Sequence, residues 1–336
     1  MLAPCVTVVI PTLTADDTLF DCVRSLEAQS RRDFEVIIVD NSGQQLVRRR
    51  NAAGAQAKVI ENTVNAGFGG AINQAFRQST SEFLATLNDD AVADPNWVAS
   101  LMAAVENRPD VGMCASKVRL FPRGNLDSAG MLIAGDGSSK QRGHLGDPAQ
   151  YEQAEEVLLP SGSAALYRRI MLEEIGLFDD HFFLYCEDTD LGLRGRWAGW
   201  KCLYVPAAIV DHHYSHSAGR ASSLKAYYVE RNRLFTVVKN FPAGMLLTAP
   251  VYAAIRYFWH VAMMFTGKGA AAEYRQGGSG FELIWFVAKA HAAVLVRLPE
   301  LMRQRSAIRK SARLKTAEFC NLLRAHSISP KQVASL

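Results

Sequence analysis

Residues 83–90 read Phe83-Leu84-Ala85-Thr86-Leu87-Asn88-Asp89-Asp90. An uncharged, largely apolar run that stops at an amide and two carboxylates is the pattern of a strand buried on both faces and ending in a polar turn. The same grammar recurs upstream. Residues 6–10 are a short β-branched run ended by Pro11, and residues 34–39 (FEVIIV) end at Asp40-Asn41-Ser42-Gly43. Between these strands, Leu19, Cys22, Val23 and Leu26 recur at helical spacing. A polar helix leads to Lys58-Val59-Ile60, and residues 68–78 read as a helix opened by a glycine-rich turn. Strands alternating with helices predict an α/β fold with a mostly parallel sheet covered on both sides. Such sheets bind ligands at the carboxyl ends of their strands, where Asp40 and Asp90 both fall.

Downstream, residues 111–118 read as a strand and residues 121–147 as a long Gly-, Asp- and Ser-rich loop. Residues 157–167 read as a strand interrupted by Ser161-Gly162-Ser163, residues 187–197 as a short helix, and residues 201–210 as a strand ending in His212-His213-Tyr214-Ser215-His216-Ser217. From residue 222 the pattern is helical. Residues 245–265 approach the minimum length of a membrane span but contain Arg256 and His260, each costly at a bilayer centre. Residues 281–298 form a second apolar helix with Lys289, His291 and Arg297. Helices lying in a membrane interface are favoured over a single span and over helices packed on a soluble core. The division expected is a catalytic domain at 1–240 and a helical, basic, membrane-associating region at 241–336.

The chain has 336 residues, of which 49% are hydrophobic and 21% charged, a globular balance that argues against wholesale disorder. The net charge of +4 is unevenly spread. After Pro299, Arg303, Arg305, Arg309, Lys310, Arg313, Lys315, Arg324 and Lys331 face only Glu300 and Glu318, which suggests an anionic partner. A lipid surface is favoured and nucleic acid is not expected. The six cysteines include no C-x-x-C pair, and several sit in apolar runs, as buried thiols of a reducing compartment do. The N-terminus lacks a basic segment followed by a long apolar stretch, so a cytoplasmic protein at the inner face of the membrane is expected.

Several clusters carry potential chemistry, and each has a plainer reading. Asn88-Asp89-Asp90 sets adjacent carboxylates that repel unless a cation lies between them, and Mg²⁺ or Mn²⁺ favours such oxygens together with diphosphate. The plainer reading is an Asx-rich turn before a helix. Asp40 suits a base N–H or ribose hydroxyl, or else simply a turn. Residues 61–73 form a glycine-rich helix entry whose amides suit phosphate or sugar, though they match neither a P-loop nor G-x-G-x-x-G. Glu187-Asp188-Thr189-Asp190 follows Phe182, Phe183 and Tyr185, a setting that raises a carboxylate toward general-base strength. Alternatively these acids complement a helix dipole. The histidines near 212 suit a metal shell, whereas a lone histidine is more often structural.

In order, residues 8–12 (VVIPT), 39–42 (VDNS), 61–62 with 65–73 (EN, NAGFGGAIN), 87–90 (LNDD), 161–164 (SGSA), 187–191 (EDTDL) and His212-x-x-Ser215-x-Ser217 resemble glycosyltransferase family 2, in particular its rhamnosyl- and galactofuranosyl-transferring branch. The resemblance covers residues 6–240. It implies a GT-A fold, a nucleoside-diphosphate-sugar donor, a divalent metal (Mg²⁺ or Mn²⁺) and inversion at the anomeric carbon. By similarity, Pro11, Thr12 and Asp40 line the nucleoside pocket, and Asn65, Gly69 and Asn73 shape the donor site. Asp90, with Asn88 or Asp89, takes the D-x-D position, and His212 is a metal ligand. Asp188 is the base, with Gly162 and Glu187 on the acceptor side. Asn88 replaces the first aspartate of a strict D-x-D, so Asp89 and Asp90 stay open as alternatives for the ion. The acceptor implied is a glycan or a polyprenyl-linked saccharide, and the donor dTDP-rhamnose first, a UDP-sugar second. The reading requires the turn at 90 and the carboxylate at 188 to serve one cleft. Its rivals are a sugar nucleotidyltransferase, disfavoured because Pro11-Thr12-Leu13-Thr14 replaces a basic glycine-rich loop, and a non-catalytic membrane-associated sugar-binding scaffold.

Overall fold

A computed structural model describes residues 4–54, 57–213, 223–266 and 280–335. The chain forms two compact units, one of Met1–Met131, Gln141–Phe183 and Trp200–Ser217, the other of Leu132–Lys140, Leu184–Gly199 and Ala218–Leu336. Residues 132–140 and 184–199, which the sequence reading placed in the 1–240 domain, thus group with the C-terminal helices.

The first unit is built on one sheet. Its parallel part comprises β1 (Val6–Thr12), β2 (Phe34–Asp40), β3 (Lys58–Glu61) and β4 (Phe83–Leu87). The register pairs Thr12 with Asp40 and Asp40 with Glu61, so these polar residues end their strands side by side. Val8, Ile10, Ile38, Ala85 and Leu87 share a core with Leu19, Cys22 and Leu26 of α1 (Asp17–Glu27). The short α2 (Leu46–Arg49) follows β2, α3 (Gly67–Gln78) packs on β1 and β2, and β5 (Ala91–Ala93) leads into α4 (Trp97–Val105). The sheet then continues through β6 (Val111–Leu120) and β12 (Lys201–His212), which are parallel to each other. An antiparallel strand, β11 (Ala164–Arg168), joins β4 to β6 and leads into α5 (Arg169–Ile175).

Two expectations change in the middle of this unit. Residues 121–147 are not one loop: β7 (Leu126–Ser128), β8 (Met131–Ile133) and β9 (Ser139–Gln141) lie within them. Strands of three residues are too short for alternation to show. Residues 157–167 are two strands rather than one, because β10 (Glu155–Val157) pairs with β12 while β11 pairs with β4 and β6.

The second unit is helical: α6 (Glu187–Trp197), α7 (Ser223–Asn240), α8 (Ala243–Thr266), α9 (Gly280–Lys310), α10 (Thr316–Ala325) and α11 (Pro330–Ser335). Asp190, fully buried in α6, accepts from Arg194 Nε at 2.9 Å, Lys239 Nζ at 2.9 Å and Asn240 Nδ2 at 2.8 Å, tying α6 to α7. Trp197, at the end of α6, stacks on Phe319 at 3.8 Å and donates from Nε1 to the Asn240 carbonyl at 2.9 Å.

Among the described residues no helix is long and apolar enough to cross a membrane. The charge that looked costly in α8 points inward. Arg256 is buried, donating from Nε to Asp136 at 2.6 Å and from Nη2 to Glu230 at 2.8 Å, and Glu230 also pairs with Arg233. The outward face carries Leu247, Val251, Tyr252, Ile255, Phe258 and Val261, all exposed, and no charged residue.

Asp190→Ala removes a carboxylate that Lys239 and Arg194 share inside the second unit. Stranding buried cations costs about 3–5 kcal/mol, so chemical denaturation is expected to show a loss of that order.

Candidate functional site

Strand register explains why a histidine more than a hundred residues downstream meets the acidic turn after β4. In the antiparallel pairing of β12 with β5, His212 stands opposite Ala91, and the His213 N–H donates to the Asp90 carbonyl at 2.9 Å. His212 Nε2 consequently lies 3.0 Å from Asp90 Oδ1 and 3.2 Å from Asn88 Nδ2. Its other ring nitrogen, Nδ1, is 3.1 Å from Asp127 Oδ2, and Asp127 Oδ1 is 3.1 Å from His144 Nδ1. Asp127 belongs to β7, which the antiparallel pairing with β6 brings here. It was missed in the sequence because it sat in what read as loop. The signal available was its flanking by Leu126 and Ser128, both buried.

His212, Asp90 and Asp127 are buried, and their charges are set by one another. Burial disfavours the His212 cation, yet hydrogen bonds to Asp127 and Asp90 and their charges outweigh it and raise the ring to about 10. Burial likewise works against the Asp90 and Asp127 anions, but the histidines hold both carboxyls below the usual range. Asp89 behaves differently. Burial pushes it up to about 6 against a hydrogen bond from Thr12, with Asp90 and Asp16 adding to the rise.

The donor set fits a hard or borderline divalent cation: a carboxylate oxygen and an imidazole nitrogen side by side, with the far imidazole nitrogen fixed by a second carboxylate. Among the described residues no group of three or more His, Cys, Asp or Glu is arranged to hold a metal. Asp90 and His212 could supply two protein donors, with diphosphate oxygens suiting the remaining positions.

Around this pair the other predicted residues take definite places. The buried Asp40 carboxylate accepts from Ser42 N–H and from Val47 N–H, each at 2.9 Å, shaping the turn after β2. Asn41 was not singled out in the sequence, yet its Oδ1 accepts from Asn62 Nδ2 at 2.8 Å and Ala66 N–H at 3.3 Å, joining β2 to the turn before α3. Asn88 is fixed by its N–H donating to the Ser163 carbonyl at 2.9 Å, and Thr86 Oγ1 donates to the Gly162 carbonyl at 2.7 Å. The 161–163 segment is thereby seated at the end of β4. Pro11 lies within β1 opposite Val39.

The glycine-rich helix entry differs from the expectation. Amides read as facing phosphate are used internally: Gly67 N–H donates to Asn65 Oδ1 at 2.8 Å and Phe68 N–H to the Phe183 carbonyl at 3.0 Å. The glycines allow close packing. Gly67 has φ +74°, and a Cβ there would collide with the Phe183 carbonyl, while a Cβ on Gly69 would lie 2.8 Å from Phe178 Cβ. Asn73 donates to the Phe178 carbonyl and to Asp180 Oδ1, both at 2.8 Å, and accepts from Phe178 N–H at 3.1 Å.

In the second unit the acidic cluster separates into three roles. Asp190 is the ion-pair hub already described. Glu187 is buried, its Oε2 has no hydrogen-bond partner, and burial together with the Asp188 charge raises its carboxyl well above the usual range. Asp188 remains half-buried, with Oδ1 accepting from Thr189 N–H at 2.6 Å. Thr189 Oγ1 lies 2.9 Å from Ser139 Oγ. The backbone before α6 is left-handed at Tyr185 (φ 68°) and Cys186 (φ 64°). Asn232 of α7 holds it by donating to the Leu184 and Tyr185 carbonyls, both at 2.7 Å. Ser215, His216 and Ser217 of the histidine motif lie outside the described residues.

Residues 7–176 match the family model described as Glycosyl transferase family 2. The chain is 28% identical over 235 residues to an N-acetylglucosaminyl-diphospho-decaprenol L-rhamnosyltransferase of Mycobacterium tuberculosis, covering 61% of this chain and 75% of the relative. It is 30% identical to the O-antigen biosynthesis protein RfbC of Myxococcus xanthus, over 64% of this chain but only 18% of that one. Among solved structures, a mannosyltransferase of Pyrobaculum calidifontis in complex with GDP-Man and Mn²⁺ superposes with a TM-score of 0.54 at 17% identity, covering 94% of this chain and 88% of that chain. GalNAc-T7 with UDP, GalNAc and Mn²⁺ gives 0.53 at 16% identity, covering 70% and 50%. These similarities establish the GT-A architecture.

Gly69→Ala is expected to destabilise the first unit despite the better helix propensity of alanine, because overpacking against Phe178 costs about 1–3 kcal/mol. A lowered denaturant midpoint with an unchanged slope is the expected readout.

Proposed function

Because the chain belongs to glycosyl transferase family 2, and is therefore a glycosyltransferase of the rhamnosyltransferase-like branch, we propose that it transfers a sugar from a nucleoside-diphosphate donor to an acceptor hydroxyl with inversion. dTDP-rhamnose is the first candidate donor and a UDP-sugar the second. The acceptor is a glycan or lipid-linked saccharide of cell-envelope polysaccharide synthesis, a reading supported by the names of the relatives. The observation that carries the proposal is the Asp90–His212 pair after β4, in a sheet where Thr12 and Asp40 likewise stand at the carboxyl ends of β1 and β2.

In this reading Thr12, Asp40 and Asn41 shape the nucleoside side of the site. Asn65, Gly69 and Asn73 act on the donor indirectly, by fixing the segment around Phe178 and the entry to α3. Asp90 and His212 would hold Mg²⁺ or Mn²⁺, with Asn88 and Asp89 next to them, and the ion supplies charge stabilisation for the departing diphosphate. Asp127 orients the His212 ring. Asp188 takes the proton from the acceptor hydroxyl as its oxygen bonds to the anomeric carbon and the carbon–phosphate oxygen bond breaks. Glu187 and Gly162 are the acceptor-side candidates, and burial weakens Glu187 as an acid beside Asp188.

The region from 241 onward is proposed as the membrane-associating part, resting on α8. A contiguous exposed apolar face is uncommon on a monomeric surface unless it meets a partner. The uncharged outward face of α8, backed by the basic residues after Pro299, matches an anionic lipid interface at the inner side of the cell membrane.

Asp188→Asn is expected to abolish sugar transfer while calorimetry shows Mn²⁺-dependent binding of the nucleoside diphosphate unchanged. Equal loss of both would assign Asp188 a structural role. His212→Ala is expected to weaken that Mn²⁺ dependence. For the membrane, the double change Leu247→Glu with Phe258→Glu removes two side chains each worth about 1.5–3 kcal/mol when buried. Sedimentation with anionic vesicles is therefore expected to fall at least about tenfold, with the fold unchanged by circular dichroism.

A further inference from the structure

Asp127 reaches His212 from a strand that is irregular at that residue. Along the pairing of β7 with β6, Leu126 stands opposite Arg119 and Ser128 opposite Val118, which leaves Asp127 as one residue too many. Such a β-bulge re-aims a side chain and takes a main-chain group out of the ladder. His144 meets both consequences. Its Nδ1 lies 3.1 Å from Asp127 Oδ1 and 3.3 Å from the Asp127 carbonyl oxygen. Both neighbours are acceptors, so this nitrogen carries a proton and donates it to them. Asp127 Oδ2 is left to accept from His212 Nδ1 at 3.1 Å. The His144 side chain is only 11% exposed and that of Asp127 3%, so water competes little for these bonds.

The turn that carries His144 is built around this contact. Residues 142–146 bond to β7 and its flanks on both sides of Asp127. Ala129 N–H donates to the Arg142 carbonyl at 3.0 Å, and Arg142 N–H to the Gly130 carbonyl at 2.8 Å. Leu145 N–H donates to the Leu126 carbonyl at 2.8 Å, and Leu126 N–H to the Gly146 carbonyl at 2.9 Å. The Arg142 guanidinium lies over the Tyr151 ring at 4.9 Å and pairs with Glu155, which anchors the start of the turn. Four main-chain bonds therefore hold one imidazole against one carboxylate.

We propose that His144 is a positioning residue of the metal site: by pinning the bulge at Asp127 it fixes the His212 ring, and so sets the affinity for the ion that Asp90 and His212 hold. The inference rests on the metal-dependent reading above. Loss of an outer partner of a ligating histidine typically weakens metal binding about 10–100-fold. Here the partner is itself held by a second histidine, so the effect reaches one residue further from the ion.

The probe is Mn²⁺ added to the full chain with dTDP, and in a second series with UDP, read by electron paramagnetic resonance of the free ion. The parent is expected to bind Mn²⁺. His144→Phe keeps a ring and loses the donor, and is expected to weaken Mn²⁺ binding about tenfold or more. His144→Asn, whose amide nitrogen takes the place of Nδ1, is expected to restore most of it. In a His212→Ala background His144→Phe is expected to add no further loss, because residues acting through one another are not additive. A residue that only supported the fold would lower Tm and leave Mn²⁺ affinity alone. Should the phenylalanine ring prevent folding, His144→Ala removes the same donor. Equal Mn²⁺ affinity in the parent and in a folded variant without the donor overturns the role of His144 and leaves the metal reading standing. A loss that His144→Asn does not repair, or a further loss in the His212→Ala background, overturns it too, since ring bulk or another route is then responsible. A parent that binds no Mn²⁺ with either nucleotide sinks the metal reading itself, and the role of His144 with it.

Discussion

The catalytic half of the molecule depends on one strand register. β12 runs parallel to β6 and antiparallel to β5, and that double pairing fixes where its last residue stands. His212 is thereby inserted between Asp90 and Asp127, two carboxylates from different parts of the chain. Because side chains alternate faces along a strand, a slip of one residue would turn His212 away and bring His213 forward. The buried negative charges would then lose their shared partner. The site and the sheet are thus one constraint: the polar chain Asp90–His212–Asp127–His144 needs the register, and the register buries the chain.

Much of this was legible in the residues. The strands at 6–12, 34–40 and 83–87 announce themselves because they are apolar on both faces, and their polar ends mark the ligand edge. The pairing of His212 with the acidic turn followed from resemblance, and geometry then supplied the reason. Asp127 escaped notice because β7 has three residues, too few for a period to register. The glycines at 67 and 69 were legible as special but not in purpose. A glycine that admits a phosphate and one that admits a neighbouring backbone look alike until Phe178 and Phe183 are in place.

The acidic cluster before and within α6 teaches a related lesson. Spacing alone made Glu187, Asp188 and Asp190 equivalent candidates. On a helix, Asp188 points away from the face that Glu187 and Asp190, three residues apart, share. Asp190 turns into Lys239 and Arg194, Glu187 is buried and its carboxyl raised by that burial, and Asp188 stays half-buried. No composition argument separates them, since two of the Asp190 partners, Lys239 and Asn240, come from α7, some fifty residues downstream.

The inward-facing charges of α8 have a further consequence. Arg256 is clasped by Asp136 and Glu230, so the helix has one permitted rotational phase about its own axis. Turning it by half a revolution would thrust the arginine outward and break its pairs with Asp136 and Glu230. The side that meets the surroundings is therefore chosen from within. An interior cluster of opposite charges thereby sets which side of α8 faces outward.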